Sequence, residues 1–439
     1  MYNPKIDEYI ESKRDEIFAT LKRWIAQYSP AEEPEGYPDN GKPFGENVRK
    51  MLDIALEDGK RLGFDVHNMD GYSGDICMGK GEQTMGMLAH LDVVPIGEGW
   101  THDPLACEMK DGIVYGRGVM DDKGPALAAL YAMAAVKAAG VKLKDGVKLI
   151  LGCDEETGMK DLKYYADRNK MPDYGFSPDA EYPLINIEKG GINIELSAPL
   201  PEDIVEMYAG ERPNVVPAKA YAVIKKADGT TEKIETTGIS AHGSTPHLGE
   251  NAMGKLFIRL SEMGIGGAAV KAIAEKFGLE YDGASAGIKA DDAECGPLTC
   301  NLGMLYIENG MMKVVLDIRY PLATSEEKIL GQMCYKLTGT PVAVRRLSGR
   351  TVLYVPADSK VVKGLLKVYG DITGLPAYPI AIGGGTYSRM MPNTVAFGFN
   401  FPGDVDSCHM PDEFVNWEKF ILSTKIFAHA IETLAGEEA

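Results

Sequence analysis

Histidines and acidic residues recur along this chain in small clusters: His90-Leu91-Asp92, Asp121-Asp122, Glu155-Glu156, Asp179 and His409. A dinuclear hydrolytic site needs a bridging carboxylate, further oxygen and nitrogen ligands for each ion, and room for a shared water. Five of these residues have the type and number to hold two divalent ions. Mixed imidazole and carboxylate ligation suits Zn²⁺ first, and also Mn²⁺ or Co²⁺. A sixth residue, Glu155, is of the type needed to work as a base on a metal-held water. Asp92 follows His90 by two residues, from where it can bond the other imidazole nitrogen and fix the tautomer. Taken singly the clusters are weak signals, because a His-x-Asp is more often a loop accident and a pair of acids is usually a solvated turn. Their position decides. Separate clusters sit at the carboxyl ends of apparent strands, where open α/β sheets place their sites.

The elements that must position them alternate. Residues 5–27 read as one helix, and residues 45–62 as a second, with Val48, Met51, Leu52, Ala55 and Leu56 on one face. Met85–Ala89 is an apolar run stopping at His90, as a buried strand would. Pro125–Ala139 is Ala-rich and helical, opened by Gly124-Pro125 and closed by Gly140. Val147–Leu151 and Tyr174–Ser177 are the next strands. This rhythm implies an α/β fold, a mainly parallel sheet with helices on both faces. From Gly190 to about Arg350 the pattern changes to β runs (192–197, 220–225, 311–318) and helical runs (252–262, 268–277, 325–337), which reads as an inserted α+β domain. Helix (360–373) and buried strands (377–382, 395–399) then return, and His409 follows the last of them. The expected organisation is a discontinuous catalytic domain, 1–188 with 356–439, and an inserted lid, 189–355.

Composition excludes several classes. A chain of 439 residues exceeds what one core organises. The net charge of −18 argues against nucleic acid, whose phosphates demand basic surface. No run of 18 apolar residues is present, so no membrane partner is expected, and the charged, amphipathic N-terminus has no signal-peptide core. Seven scattered cysteines without a CxxC spacing fit reduced thiols and a cytoplasmic location. His67, His102 and His429 read as ordinary surface or core residues. Gly383-Gly384-Gly385 lacks the Lys-Ser/Thr of a phosphate loop and reads as a substrate-facing loop with close backbone approach.

Four motifs carry a resemblance. They are Ala89-His90-Leu91-Asp92-Val93-Val94-Pro95 followed by Trp100–Pro104, Tyr115-Gly116-Arg117-Gly118-Val119-Met120-Asp121-Asp122-Lys123-Gly124, Cys153-Asp154-Glu155-Glu156-Thr157-Gly158, and Ser177-Pro178-Asp179-Ala180. Together they resemble the dinuclear zinc peptidases related to aminoacylase and carboxypeptidase G. Gly383–Arg389, Val395–Gly398, Asp317–Pro321 and Gly238–Ala252 are similar to the PepV-type dipeptidases, the Xaa-His dipeptidase or carnosinase-like branch.

The resemblance implies that His90 and Asp179 bind one ion and Glu156 and His409 the other, with Asp121 bridging. It implies a cis Asp121–Asp122 peptide and Glu155 as general base. It further implies that His242 stabilises the oxyanion, and that Arg319, Asn214 and the backbone of Gly384 and Gly385 grip the substrate's carboxylate. The implied reaction is hydrolysis of free dipeptides by a monomer, its lid supplying His242 within the same chain. An N-acyl-amino-acid or succinyl-diaminopimelate deacylase and an inactive peptide-binding protein are the competing readings.

Overall fold

Buried strands are recognisable by having no wet side. In Thr84–His90 every residue from Met85 onward is buried, as a strand covered on both faces requires. Met87 and Ala89 enter the larger core, while Leu88 enters a smaller one on the opposite face with Ile150, Leu162, Tyr165 and Tyr387. Successive side chains of a strand point to opposite faces, so helices must cover both.

The computed structural model describes residues 2–34 and 36–437. Contacts divide the chain into two units: Met1–Asn186 with Val355–Ile380 and Gly385–Ala439, and Ile187–Tyr354 with Ala381–Gly384. Gly384, read from sequence as part of the first domain, groups with the second unit. The reason is local, since the neighbouring Gly383 carbonyl accepts hydrogen bonds from Arg319 and Arg350, both in that unit.

The sheet of the first unit runs in the order Asp65–Met69, Ser73–Met78, Gly146–Gly152, Thr84–His90, Tyr174–Ser177, Thr394–Ala396, Ile185–Glu188. The four central strands, from Gly146–Gly152 to Thr394–Ala396, pair in parallel, and the flanking pairs are antiparallel. In the parallel register His90 lies opposite Gly152, so these strands end level and the loops after them start from one edge. The helix Lys123–Ala138 is buried on nearly every side. Its alanines let it pack closely against both the sheet and the helix Trp417–Ala435.

The N-terminal helix differs from expectation. It is two helices, Pro4–Ser12 and Arg14–Ala26, interrupted at Lys13, whose φ of −105° and ψ of 4° leave the α region. The seven-residue spacing of the buried Ile10 and Ile17 fits an unbroken helix, so apolar periodicity alone does not reveal the break.

The second unit is a seven-stranded antiparallel sheet: Thr231–Thr237, Lys219–Lys225, Ile204–Ala209, Thr299–Glu308, Met311–Tyr320, Gly190–Pro199, Ala343–Arg350. The helices Ala252–Glu262, Gly267–Lys276 and Glu326–Lys336 contribute apolar side chains to its core. All three begin within a residue of where the sequence pattern placed them. The strands with polar, exposed faces, Thr231–Thr237 and Ala343–Arg350, carry little apolar alternation, which is why sequence reading passed over them.

Two glycines face each other in the parallel pair at the centre of the first sheet, Gly86 opposite Gly175. A Cβ on Gly175 would lie 1.8 Å from the Gly86 carbonyl oxygen. Gly175→Ala should therefore cost about 1–3 kcal/mol or more and lower the thermal unfolding midpoint. An unchanged midpoint would contradict this close approach.

Candidate metal centre

Each chemically capable residue of the first unit stands at the edge where the parallel strands end. His90 is the last residue of its strand, Asp121 and Asp122 directly precede the helix Lys123–Ala138, Glu155 and Glu156 follow the strand Gly146–Gly152, and Asp179 follows Tyr174–Ser177. His409 lies in the loop after Thr394–Ala396, in a left-handed backbone conformation (φ 63°). The Asp121–Asp122 peptide is cis.

Asp121 is the centre of the geometry. Its Oδ1 lies 3.0 Å from His90 Nε2, and its Oδ2 lies 3.0 Å from His409 Nε2. On the first side Asp179 Oδ2 is 3.5 Å from His90 Nε2. On the second, Glu156 Oε1 is 3.1 Å from His409 Nε2. One carboxylate thus faces two separate pairs, each made of an imidazole and an acid. His90 Nδ1 is held at 3.0 Å by the Asp92 carbonyl, while its buried Nε2 lacks a hydrogen-bond partner of acceptable geometry despite the oxygens nearby. An orphaned nitrogen aimed at carboxylates is the donor set of a borderline divalent ion.

Electrostatics carries the same message. Burial pushes the Glu155 carboxyl well above its usual range, and although His90 opposes this, the neighbouring Asp179, Glu156 and Asp121 add to it. Burial raises Glu156 too, against its hydrogen bond with His409. It raises Asp122, with Asp179 contributing. Asp121 is the exception: burial would raise it, but the close imidazoles of His409 and His90 hold it below the usual carboxylate range. His409 is pushed up to about 10 by its contacts with Asp121 and Glu156. Carboxylates this close keep their negative form only where positive charge joins them.

Asp92 does more than its spacing suggested. Besides its carbonyl, its Oδ1 stands 3.3 Å from His90 Nδ1. Its two carboxylate oxygens also accept from the backbone N–H groups of Glu155 and Glu156, each at 3.2 Å. One side chain therefore orients the His90 ring and the loop carrying both glutamates.

Sequence reading missed two further acids. Glu413, fully buried, accepts from the backbone N–H of Gly118, Met120 and Asp121 at 2.9–3.1 Å and pairs with Arg117 Nη1 at 2.7 Å. Burial raises it to about 7. Asp161 accepts from Cys153 and Asp154 N–H at 2.6 and 3.0 Å and from the Tyr387 hydroxyl. Tyr387 in turn stands edge-on to the His90 ring, centroids 5.9 Å apart. The only signals were Glu413 four residues after His409 and Tyr387 in the Gly383–Arg389 motif. Nothing in either spacing announces a backbone clamp.

Of the residues expected to touch substrate, His242, Asn214, Arg319 and Gly384 lie in the second unit. His242 Nδ1 is 2.7 Å from Ser244 Oγ, the Asn214 carbonyl accepts from Gly243 N–H at 2.7 Å, and Arg319 donates twice to Asp317 Oδ2. A Cβ on Gly243 would come within 2.7 Å of Asp317 Oδ2 and 3.0 Å of Asn214 Cα, so these side chains share one patch. Gly385 belongs to the first unit. Three of the four remaining histidines have local roles: His67 bonds Asp75, His102 bonds Glu108 and stacks on Tyr115, and His429 bonds Asp7 and Glu432.

The family model described as Peptidase family M20/M25/M40 matches residues 86–433. The chain is 34% identical to the putative dipeptidase YtjP of Bacillus subtilis (strain 168), covering 96% of this chain and 98% of that one. It is also 34% identical to the Beta-Ala-Xaa dipeptidase of Lactobacillus delbrueckii subsp. lactis, covering 98% of each. Among solved structures, human carnosine dipeptidase 1 superposes with a TM-score of 0.59 at 18% identity, covering 99% of both chains. Aminoacylhistidine dipeptidase from Vibrio alginolyticus superposes at 0.64 with 14% identity, covering 96% of this chain and 97% of that one. These likenesses share the fold of a catalytic domain with a lid, and the match over 86–433 together with relatives at 34% identity across almost the full length shows that the chain belongs to the Peptidase family M20/M25/M40.

Proposed function

We propose that this chain is a metal-dependent dipeptidase that hydrolyses the peptide bond of free dipeptides with broad side-chain tolerance. The observation that carries the reading is Asp121, with one oxygen 3.0 Å from His90 and the other 3.0 Å from His409. His90, Asp179 and Asp121 would hold one divalent ion, and Asp121, Glu156 and His409 the other. Zn²⁺ is the first candidate and Mn²⁺ or Co²⁺ the alternatives, given two imidazoles, three carboxylates and no thiolate in the set. Two such ions act as Lewis acids and lower the pKa of a shared water.

The chain's own groups supply the rest. Two acids of the cluster are not assigned as ligands: Asp122 accepts from the His90 backbone N–H at 2.8 Å, which leaves Glu155 to act on water. Its carboxylate takes a proton from water and returns it to the leaving amine. Asp92 positions His90 and, through the N–H groups of residues 155 and 156, the base itself. Glu413 gathers the backbone on the approach to Asp121. From the lid, 187–354, His242 would donate to the developing oxyanion. Arg319 and Asn214, with the backbone of Gly384 and Gly385, would read the carboxylate of the second residue. In this reading a discontinuous catalytic unit with an inserted lid would divide these two tasks between two units. The free state of all seven cysteines supports a reducing, cytoplasmic setting, and among the described residues no helix is long and apolar enough to cross a membrane. A monomer suits a lid that carries His242 in the same chain.

The test of this reading is a substrate panel. Dipeptides with varied side chains, β-alanyl dipeptides included, should be cleaved, because binding at both termini orients the scissile bond. C-terminally amidated dipeptides and pentapeptides should be poor. Comparable kcat/KM on a dipeptide, its amide and a pentapeptide would overturn the reading, and preference for N-acetyl or N-succinyl amino acids would make the protein a deacylase.

Glu155→Gln keeps size but cannot take a proton. It should lose about 10²–10⁴-fold in kcat while retaining both ions. A variant that loses metal yet keeps activity per occupied site would show that the roles of Glu155 and Glu156 are exchanged.

A further inference from the structure

The register of the second sheet sets two arginines side by side. Arg319 pairs with Gly191 from one neighbouring strand, and Arg350 pairs with the same Gly191 from the other. Directly paired residues of an antiparallel ladder project from the same face, so both guanidinium groups leave the sheet together with only a hydrogen atom between them. A Cβ on Gly191 would lie 3.2 Å from Arg350 Nε and 3.3 Å from Arg319 Nη1. The missing side chain is the space the two groups use. One oxygen is already within reach of both: the Gly383 carbonyl accepts from Arg319 Nη1 at 3.3 Å and from Arg350 Nη2 at 2.8 Å. Two residues along each strand, Asp317, Asn193 and Ser348 form the next row of this face. The two rows wall a cavity of about 220 Å³.

Arg319 alone is an incomplete fork. Its Nε and Nη2 both donate to Asp317 Oδ2, at 3.1 and 3.0 Å, so the edge of the guanidinium suited to a bidentate carboxylate is engaged within the chain. What it turns toward Gly383 is Nη1. A second guanidinium converging on the same oxygen supplies the donor that Arg319 has committed elsewhere. The pair also stands close to the expected oxyanion group. The His242 pKa is lowered first by burial and then by Arg319, with Arg350 adding to this and Asp317 opposing it.

We propose that Arg350 is a second substrate-binding residue, which grips the C-terminal carboxylate of the dipeptide jointly with Arg319. This deepens the dipeptidase reading and rests on it. It assigns the carboxylate to the cavity between the two guanidinium groups, and it gives Gly191 a function, since any side chain there would fill the space between them.

The experiment compares wild type with Arg350→Gln and Arg350→Lys on Ala-Leu and on its C-terminal amide, with thermal unfolding as the control for folding. The Gln variant should lose about tenfold or more in kcat/KM on the free dipeptide, carried by KM, and no more than about twofold on the amide. Lys keeps the charge without the planar fork and should fall between the two. Equal losses on both substrates, as a general structural defect would give, overturn the proposal, and so does a Gln variant that keeps the full wild-type discrimination. A wild-type enzyme that does not distinguish the dipeptide from its amide would defeat the dipeptidase reading, and this inference with it.

Discussion

Crowding of like charge around Asp121 is the constraint on which the rest of the first unit depends. Asp121, Asp122, Glu155, Glu156 and Asp179 perturb one another's ionisation, and only His90 and His409 stand among them as bases. Burying several carboxylates together is among the least favourable arrangements a protein can adopt without a compensating cation. Burial and mutual repulsion push most of these acids toward the protonated form, whereas Asp121, touched by both imidazoles, goes the other way. The arrangement is stable as a coordination site and costly as anything else.

Holding such a site together is a backbone problem as much as a side-chain one. The acidic residues sit on loops, whose N–H groups need partners when buried. Three acids that do not face the cluster's centre supply them. Asp92 accepts from the 155–156 loop, Asp161 from residues 153 and 154, and Glu413 from residues 118, 120 and 121. Each binds the polypeptide just before or within a segment that presents a chemically active side chain. The sheet contributes the common edge from which those segments start, and the level ends of His90 and Gly152 fix their height. The second unit solves a different task with the same means, using the register of an antiparallel ladder to place Arg319, Gly191 and Arg350 in one row.

Much of this was legible in the sequence because it is written in residue type and local period. The apolar run ending at His90, the Ala-rich helix opened after Asp122, and the return of strands before His409 mark the α/β unit, and the acids beyond each strand mark the site. What the sequence concealed depends on geometry rather than on pattern. The break at Lys13 leaves the apolar spacing intact. Gly384 changes units because the carbonyl of its neighbour meets two arginines. Glu413 and Asp161 look like ordinary loop and helix-start acids: the backbone groups Glu413 binds lie almost 300 residues away, and Asp161 closes a local loop and meets Tyr387 from a distant segment, which no local pattern records. The exposed edge strands of the second sheet lack the alternation by which strands are recognised.

The central claim, that Asp121 is shared by two divalent ions, is tested most directly by anomalous X-ray diffraction from crystals of the metal-loaded protein, measured on both sides of the metal's absorption edge. The account predicts two anomalous peaks per chain, one beside each carboxylate oxygen of Asp121, the first next to His90 and Asp179 and the second next to His409 and Glu156. A single peak, or two peaks of which neither contacts Asp121, would contradict it.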